Sequence, residues 1–208
     1  MSEAALRRQL ADVGRLAYDR RLTFGAGGNL SVRLDERTAL ITPSGMIKGL
    51  LSPEQMIRVD IRTEKAEGGK PSMETPFHTA LYREREDIGA VVHLHPLSCT
   101  TLAIMARQLR PAITPEGVLV LGDYVPTIQY ATPGSEELAE VIVSGLGKTN
   151  AALLQSHGAL VVGKDLMDAF GRMETLEYIA TLQLRCEEMG DLEDLPDEEV
   201  DRMLSKTK

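Results

Sequence analysis

The segment Val91-Val92-His93-Leu94-His95-Pro96 constrains this chain more than any other. In an extended strand successive side chains point to opposite faces, so His93 and His95 project together while Val92 and Leu94 face the other way. Two imidazoles on one face of an apolar run cost free energy unless something binds them. A fold that keeps this strand must therefore bring a partner to that face. His157, in Gln155-Ser156-His157-Gly158 after the apolar run 151–154, stands where a strand passes into a turn, a common place for a site. Three neutral imidazoles suit a catalytic Zn2+ with an open position, or Co2+, Mn2+, Fe2+ or Ni2+. A strand histidine taken singly is more often a structural residue; the i, i+2 pair is what favours a metal.

A carboxylate is available in Pro71-Ser72-Met73-Glu74-Thr75-Pro76. Thr75-Pro76 predicts an N-cap followed by proline at the first helical position, opening a helix to about Asp87 with Glu74 just outside its N-terminus. The positive end of the helix dipole explains a carboxylate there as well as catalysis does, and the residues alone leave both readings open. His78, one turn into the same helix, reads as structural and separate from the strand pair. Residues 25–31 and 42–45 are glycine-rich or Pro-Ser-Gly turns whose backbone N–H groups and short side chains can grip a phosphate, although ordinary turns share that composition. Neither is a nucleotide motif: the first lacks the last glycine of G-x-G-x-x-G and precedes a strand, and no G-x-x-x-x-G-K-[ST] occurs. Lys48 and Lys70 read as loop charges. Asn29-Leu30-Ser31 matches a glycosylation sequon, which nothing else in the chain supports.

Around these motifs the pattern alternates helices and strands. Amphipathic helices are expected over 5–20, 135–145 and 165–189, with Ser52-Pro53-Glu54-Gln55 a capping box opening another. Strands are expected at 38–42, 57–62, 88–94, 124–128, 151–154 and 159–162. The stripe Leu166, Ala169, Phe170, Met173, Leu176, Ala180 is core or subunit contact, residues 65–70 a surface loop, and 191–208 a solvated tail. With 208 residues, 43% of them hydrophobic, one domain over 1–208 is expected, without a membrane span. A net charge of -8, from 31 acidic and 23 basic residues, opposes nucleic-acid or anionic-membrane partners. Two isolated cysteines without a C-x-x-C exclude a cysteine zinc site and fit reduced thiols in a cytoplasm.

The ordered set Gly28-Asn29-Leu30-Ser31, Thr42-Pro43-Ser44-Gly45, Pro71-Ser72-x-Glu74, His93-x-His95 and Gln155-Ser156-His157-Gly158 resembles the class II aldolase/adducin family, in its L-fuculose-1-phosphate aldolase branch, to about Met189. The resemblance implies a three-layer α/β/α fold with a mixed central sheet, and a homotetramer with sites at subunit interfaces. It implies Zn2+ on His93, His95 and His157, with no organic cofactor, and Glu74 as acid/base. It also implies a sugar phosphate held by Gly28, Asn29, Ser44, Gly45, Ser72 and the Met73 backbone. The implied reaction is retro-aldol cleavage of a ketose 1-phosphate to dihydroxyacetone phosphate and an aldehyde. Related activities of the same family are aldolases of 5-deoxyribulose or methylthioribulose 1-phosphate, a ribulose-5-phosphate 4-epimerase, a methylthioribulose-1-phosphate dehydratase and a sugar-acid phosphate decarboxylase. An adducin-like interaction module would be expected to lack the histidine set. Three departures stand out. Met73 replaces a second serine of the fuculose enzyme. No tyrosine occurs in 113–118, where that branch has one assisting proton transfer; Glu116 and Tyr124 are the substitutes at hand. The tail lacks that enzyme's aromatic residue.

Overall fold

The computed structural model describes residues 1–206. Eight strands form one sheet in the spatial order β4 (Ala66–Glu67), β3 (Ile57–Asp60), β2 (Thr38–Ile41), β1 (Asn29–Arg33), β5 (Ala90–Leu94), β8 (Gly158–Gly163), β7 (Ala151–Leu154) and β6 (Thr127–Ile128). Every neighbouring pair is antiparallel except β6 with β7, so the sheet is mixed. The central strands β5, β7 and β8 are buried along their whole length, which is why they read as apolar runs.

The alternation of side chains across the strands separates two cores. Ala90, Val92 and Leu94 of β5 join Leu30, Leu40, Leu153 and Val161 beneath α1 (Glu3–Asp19), α3 (Leu97–Ile104), α4 (Pro115–Leu121) and α6 (Leu166–Met189). Val91 instead joins Ile41, Ala152 and Leu160 against α2 (Thr75–Glu84) and α5 (Glu136–Leu146). The result is the expected three-layer α/β/α arrangement, and His93, two residues after Val91, points to the α2 side. The α6 stripe is core: Leu166, Ala169, Met173 and Leu176 are each at most 1% exposed.

Several local expectations change. The capping box at Ser52 forms as expected, but it opens only the 3-10 turn Pro53–Gln55, because Met56 is already extended. Residues 65–70 are not all loop, since β4 pairs Glu67 with Arg58 and Ala66 with Val59. Helix α2 stops at Glu84 rather than Asp87, Arg85 having turned to φ -130. The stretch expected as a solvated tail carries α7 (Asp197–Lys206), tied down by Leu195 N–H donating to Ala112 O and by buried Val200; residues 207–208 lie outside the described part. Among the described residues no helix is long and apolar enough to cross a membrane.

Candidate active site

Three pieces of backbone converge at the ends of the central strands. β1 begins at Asn29, paired with His93 near the end of β5, and the β7–β8 hairpin turns at Gln155-Ser156-His157 with Leu154 paired to Gly158. The antiparallel pairing of β5 with β8 sets Leu94 opposite Ala159, so the hairpin tip lies beside His95. Close approach there depends on glycine. A Cβ on Gly158 would stand 2.6 Å from His95 Cδ2 and from Leu94 O, and one on Gly28, at φ +71, would stand 2.7 Å from His93 O.

The structure thereby brings His93, His95 and His157 together, with one nitrogen from each lying within 4.8 Å of the others. The Nδ1–H of buried His93 donates to Ala159 O at 2.9 Å, which fixes the tautomer and leaves Nε2 as a free lone pair, 3.1 Å from His95 Nε2. Burial first, and then the neighbouring imidazoles, push both His93 and His95 down to about 3. At neutral pH these rings are therefore uncharged, the form a metal ligand requires.

Glu74 is the N-cap of α2, one position inside its expected place, and its side chain caps nothing. It turns instead into the histidine cluster, with Oε2 3.3 Å from His93 Nε2 and Oε1 3.4 Å from His157 Nε2. Oε1 is buried without a hydrogen-bond partner. An amide nitrogen only donates hydrogen bonds, so the 2.7 Å contact runs from Asn29 Nδ2–H to Glu74 Oε2, and that orientation dictates the rest of a buried chain. Asn29 Oδ1 accepts from His78 Nε2–H, His78 Nδ1 accepts from Ser31 Oγ–H, and Ser31 Oγ accepts from the Tyr82 hydroxyl. Burial pushes His78 down to about 3 and Tyr82 up, so both stay neutral as this chain needs.

One expectation is corrected by this network. His78, expected to be separate from the site, is joined to it: it holds the asparagine that holds Glu74. Asn29, expected at the phosphate, lines the cavity and also bonds Glu74 and His78 through its amide. Sequence spacing could not show either link, because 29 and 78 are far apart along the chain. The alternation that faces Asn29 and Ser31 to one side of β1 was the available signal.

The glycine loops meet the same cavity, of about 230 Å3, lined by Gly28, Ser44, Gly45, Ser72, Met73, Glu74, His95 and His157. The loops are tied to each other by Leu30 N–H to Thr42 Oγ1, Ser72 N–H to Thr42 O and Ser44 N–H to Lys70 O. Glu74 N–H donates to Ser72 Oγ at 3.3 Å, so the serine expected to bind an anion also places the carboxylate. Met73 lines the cavity, is 63% exposed, and has its side-chain end beside Gly134. Lys48, expected as a loop charge, is buried and lines the cavity as well. The donor set fits a divalent ion on two counts: the two buried strand imidazoles are neutral, and a buried carboxylate oxygen lacks any other partner.

Comparison with known proteins agrees with this geometry. The family described as "Class II Aldolase and Adducin N-terminal domain" matches residues 8–184. The chain is 37% identical over 187 residues to a 3-oxo-tetronate 4-phosphate decarboxylase of Haemophilus influenzae, covering 88% of each chain. It is 36% identical over 167 residues to an L-fuculose phosphate aldolase of Methanococcus maripaludis, covering 80% of this chain and 89% of that one. A solved structure titled L-fuculose 1-phosphate aldolase superposes with a TM-score of 0.91 at 32% identity, over 99% of this chain and 97% of that one.

Proposed function

The chain belongs to the class II aldolase and adducin family, and from that premise we propose that it is a metal-dependent enzyme that breaks the carbon–carbon bond one carbon removed from the carbonyl of a small sugar phosphate. The observation that carries the reading is Glu74, whose unpartnered Oε1 stands at the histidine cluster in the same cavity that the glycine loops line. His93, His95 and His157 would hold the ion, Zn2+ being the preferred occupant of three imidazoles with an open position. When bound, such an ion supplies Lewis-acid stabilisation for the negative charge that develops on the substrate's carbonyl and neighbouring oxygens. Ser44, Gly45, Ser72, Gly28 and the Met73 backbone receive the phosphate and set the reacting carbon at Glu74.

For a ketose 1-phosphate, the C4 hydroxyl passes its proton to the Glu74 carboxylate as the C3–C4 bond breaks and the aldehyde leaves, so that Glu74 holds the proton it next delivers. The electron pair stays on C3 as an enediolate, which Glu74 protonates to give dihydroxyacetone phosphate. Asn29, held by His78, keeps the carboxylate aimed at that carbon. The exposed Phe24 and Leu97, 71% and 77% accessible beside His95, fit the tetramer implied by the family, in which a neighbouring copy would border the site.

A second reading has specific support. Loss of CO2 from a 3-oxo-tetronate 4-phosphate leaves the same enediolate and needs the same proton from Glu74. It requires no base for a departing hydroxyl, which suits a chain with no tyrosine in 113–118 and with decarboxylases among its relatives. The two readings divide on stoichiometry. The zinc-loaded protein should release dihydroxyacetone phosphate with one equivalent of aldehyde from ketose 1-phosphates, or with one equivalent of CO2 from the oxo acid. Under either reading it should exchange a C3 proton of dihydroxyacetone phosphate with D2O, observable by NMR. Absence of that exchange with the metal in place would overturn both.

A further inference from the structure

Lys48 opens the 3-10 turn Lys48–Leu50 and is only 1% exposed. Two glycines account for that burial. A Cβ on Gly14 of α1 would stand 2.9 Å from Lys48 O, and one on Gly49 would stand 2.8 Å from the Tyr18 ring, so the helix and the turn pack at backbone distance. The lysine side chain is directed inward between the two glycine loops. Its Nζ donates to Ala26 O at 2.9 Å in one loop and to Met46 O at 2.7 Å at the end of the other.

Both partners are neutral carbonyl oxygens, and Lys48 has no ion pair among the described residues. A buried ammonium without a counter-charge is costly. Burial alone pushes it down to about 8, which still leaves it mostly protonated at neutral pH. It is also the one Lys or Arg among the residues lining the cavity. We propose that Lys48 is the positioning residue and charge complement for the substrate's phosphoryl end, tying the two glycine loops together and supplying the fixed positive charge that favours a dianionic group over a neutral one. This rests on the phosphate-ester reading above.

Titration calorimetry on the zinc-loaded full chain tests it with two probes, inorganic phosphate and the phosphate-free metal chelator acetohydroxamate. Lys48→Met should weaken phosphate binding roughly 10- to 100-fold, the scale of one charge-assisted interaction, while acetohydroxamate binding stays within about twofold. Lys48→Arg should restore most of the phosphate affinity. If Lys48→Met does not fold, Lys48→Gln, which keeps a donor for the loop carbonyls without the charge, should show the same selective loss. Unchanged phosphate affinity in the neutral variants, or equal weakening of both probes, overturns the proposal. Wild-type protein that binds acetohydroxamate but not phosphate would instead sink the phosphate-ester reading, and this inference with it.

Discussion

The histidine side and the glycine-loop side of the cavity are built by opposite means. His93 and His157 are presented by central strands and a hairpin tip, where β5 and β8 are each paired on both sides, and glycines admit their rings at contact distance. The opposite wall is irregular backbone, held by a few backbone and side-chain hydrogen bonds between the loops and by one buried lysine. A metal demands ligand positions to within a few tenths of an ångström, which a sheet supplies. A phosphate accepts donors from many directions, and loops satisfy it provided that something fixes them and balances its charge.

If the two walls have these separate duties, substitutions should separate metal binding, chemistry and anion affinity. The largest expected effect is on chemistry: Glu74→Gln keeps the shape and the Asn29 contact but removes the titrating group, so turnover should fall roughly 10²–10⁴-fold with metal content unchanged. Near-normal turnover would move the acid/base role elsewhere. His157→Ala should lower metal affinity by more than about 100-fold, beyond what loss of an outer partner costs, while inorganic phosphate binding to the metal-free protein stays the same. Elemental analysis showing full occupancy would break the division between the walls.

A third test reads the lysine through pH. Above about pH 8 folded Lys48 has given up a proton that the unfolded chain holds to 10.5, so stability rises with pH across that window, by at most roughly 3 kcal/mol. The unfolding free energy of wild type minus that of Lys48→Met should therefore become more positive from pH 8 to 10.5 in urea titrations without phosphate; a flat difference would mean Lys48 titrates normally. The smallest effect belongs to Met73→Ser, which adds back one hydroxyl and should tighten phosphate binding by less than about tenfold, with metal affinity unmoved. Tightening that also appears with a phosphate-free ligand would show that the methionine acts by blocking the cavity.

The same contrast explains what the sequence disclosed. His93 and His95 were visible because a strand has a period of two and their neighbours were apolar. Glu74 was visible because Thr75-Pro76 marks a helix start, but the dipole explained it equally well until its side chain was seen to cap nothing. Lys48 was invisible, since its burial depends on Gly14 and Gly49, which belong to another helix and to a three-residue turn with no periodicity. His78 was read by its own helix when its partners lie on β1. The strand β4 and the helix α7 were missed for a related reason: two residues of pairing, or one buried valine, leave almost no pattern in the chain.

The sheet ends, at both margins, on strands of two residues, β4 and β6. Such stubs offer too few free N–H and C=O groups to template another strand, so the molecule is protected against growing by sheet extension. Any contact between copies of this chain would then fall on helix faces and loop tips, where Phe24 and Leu97 are exposed.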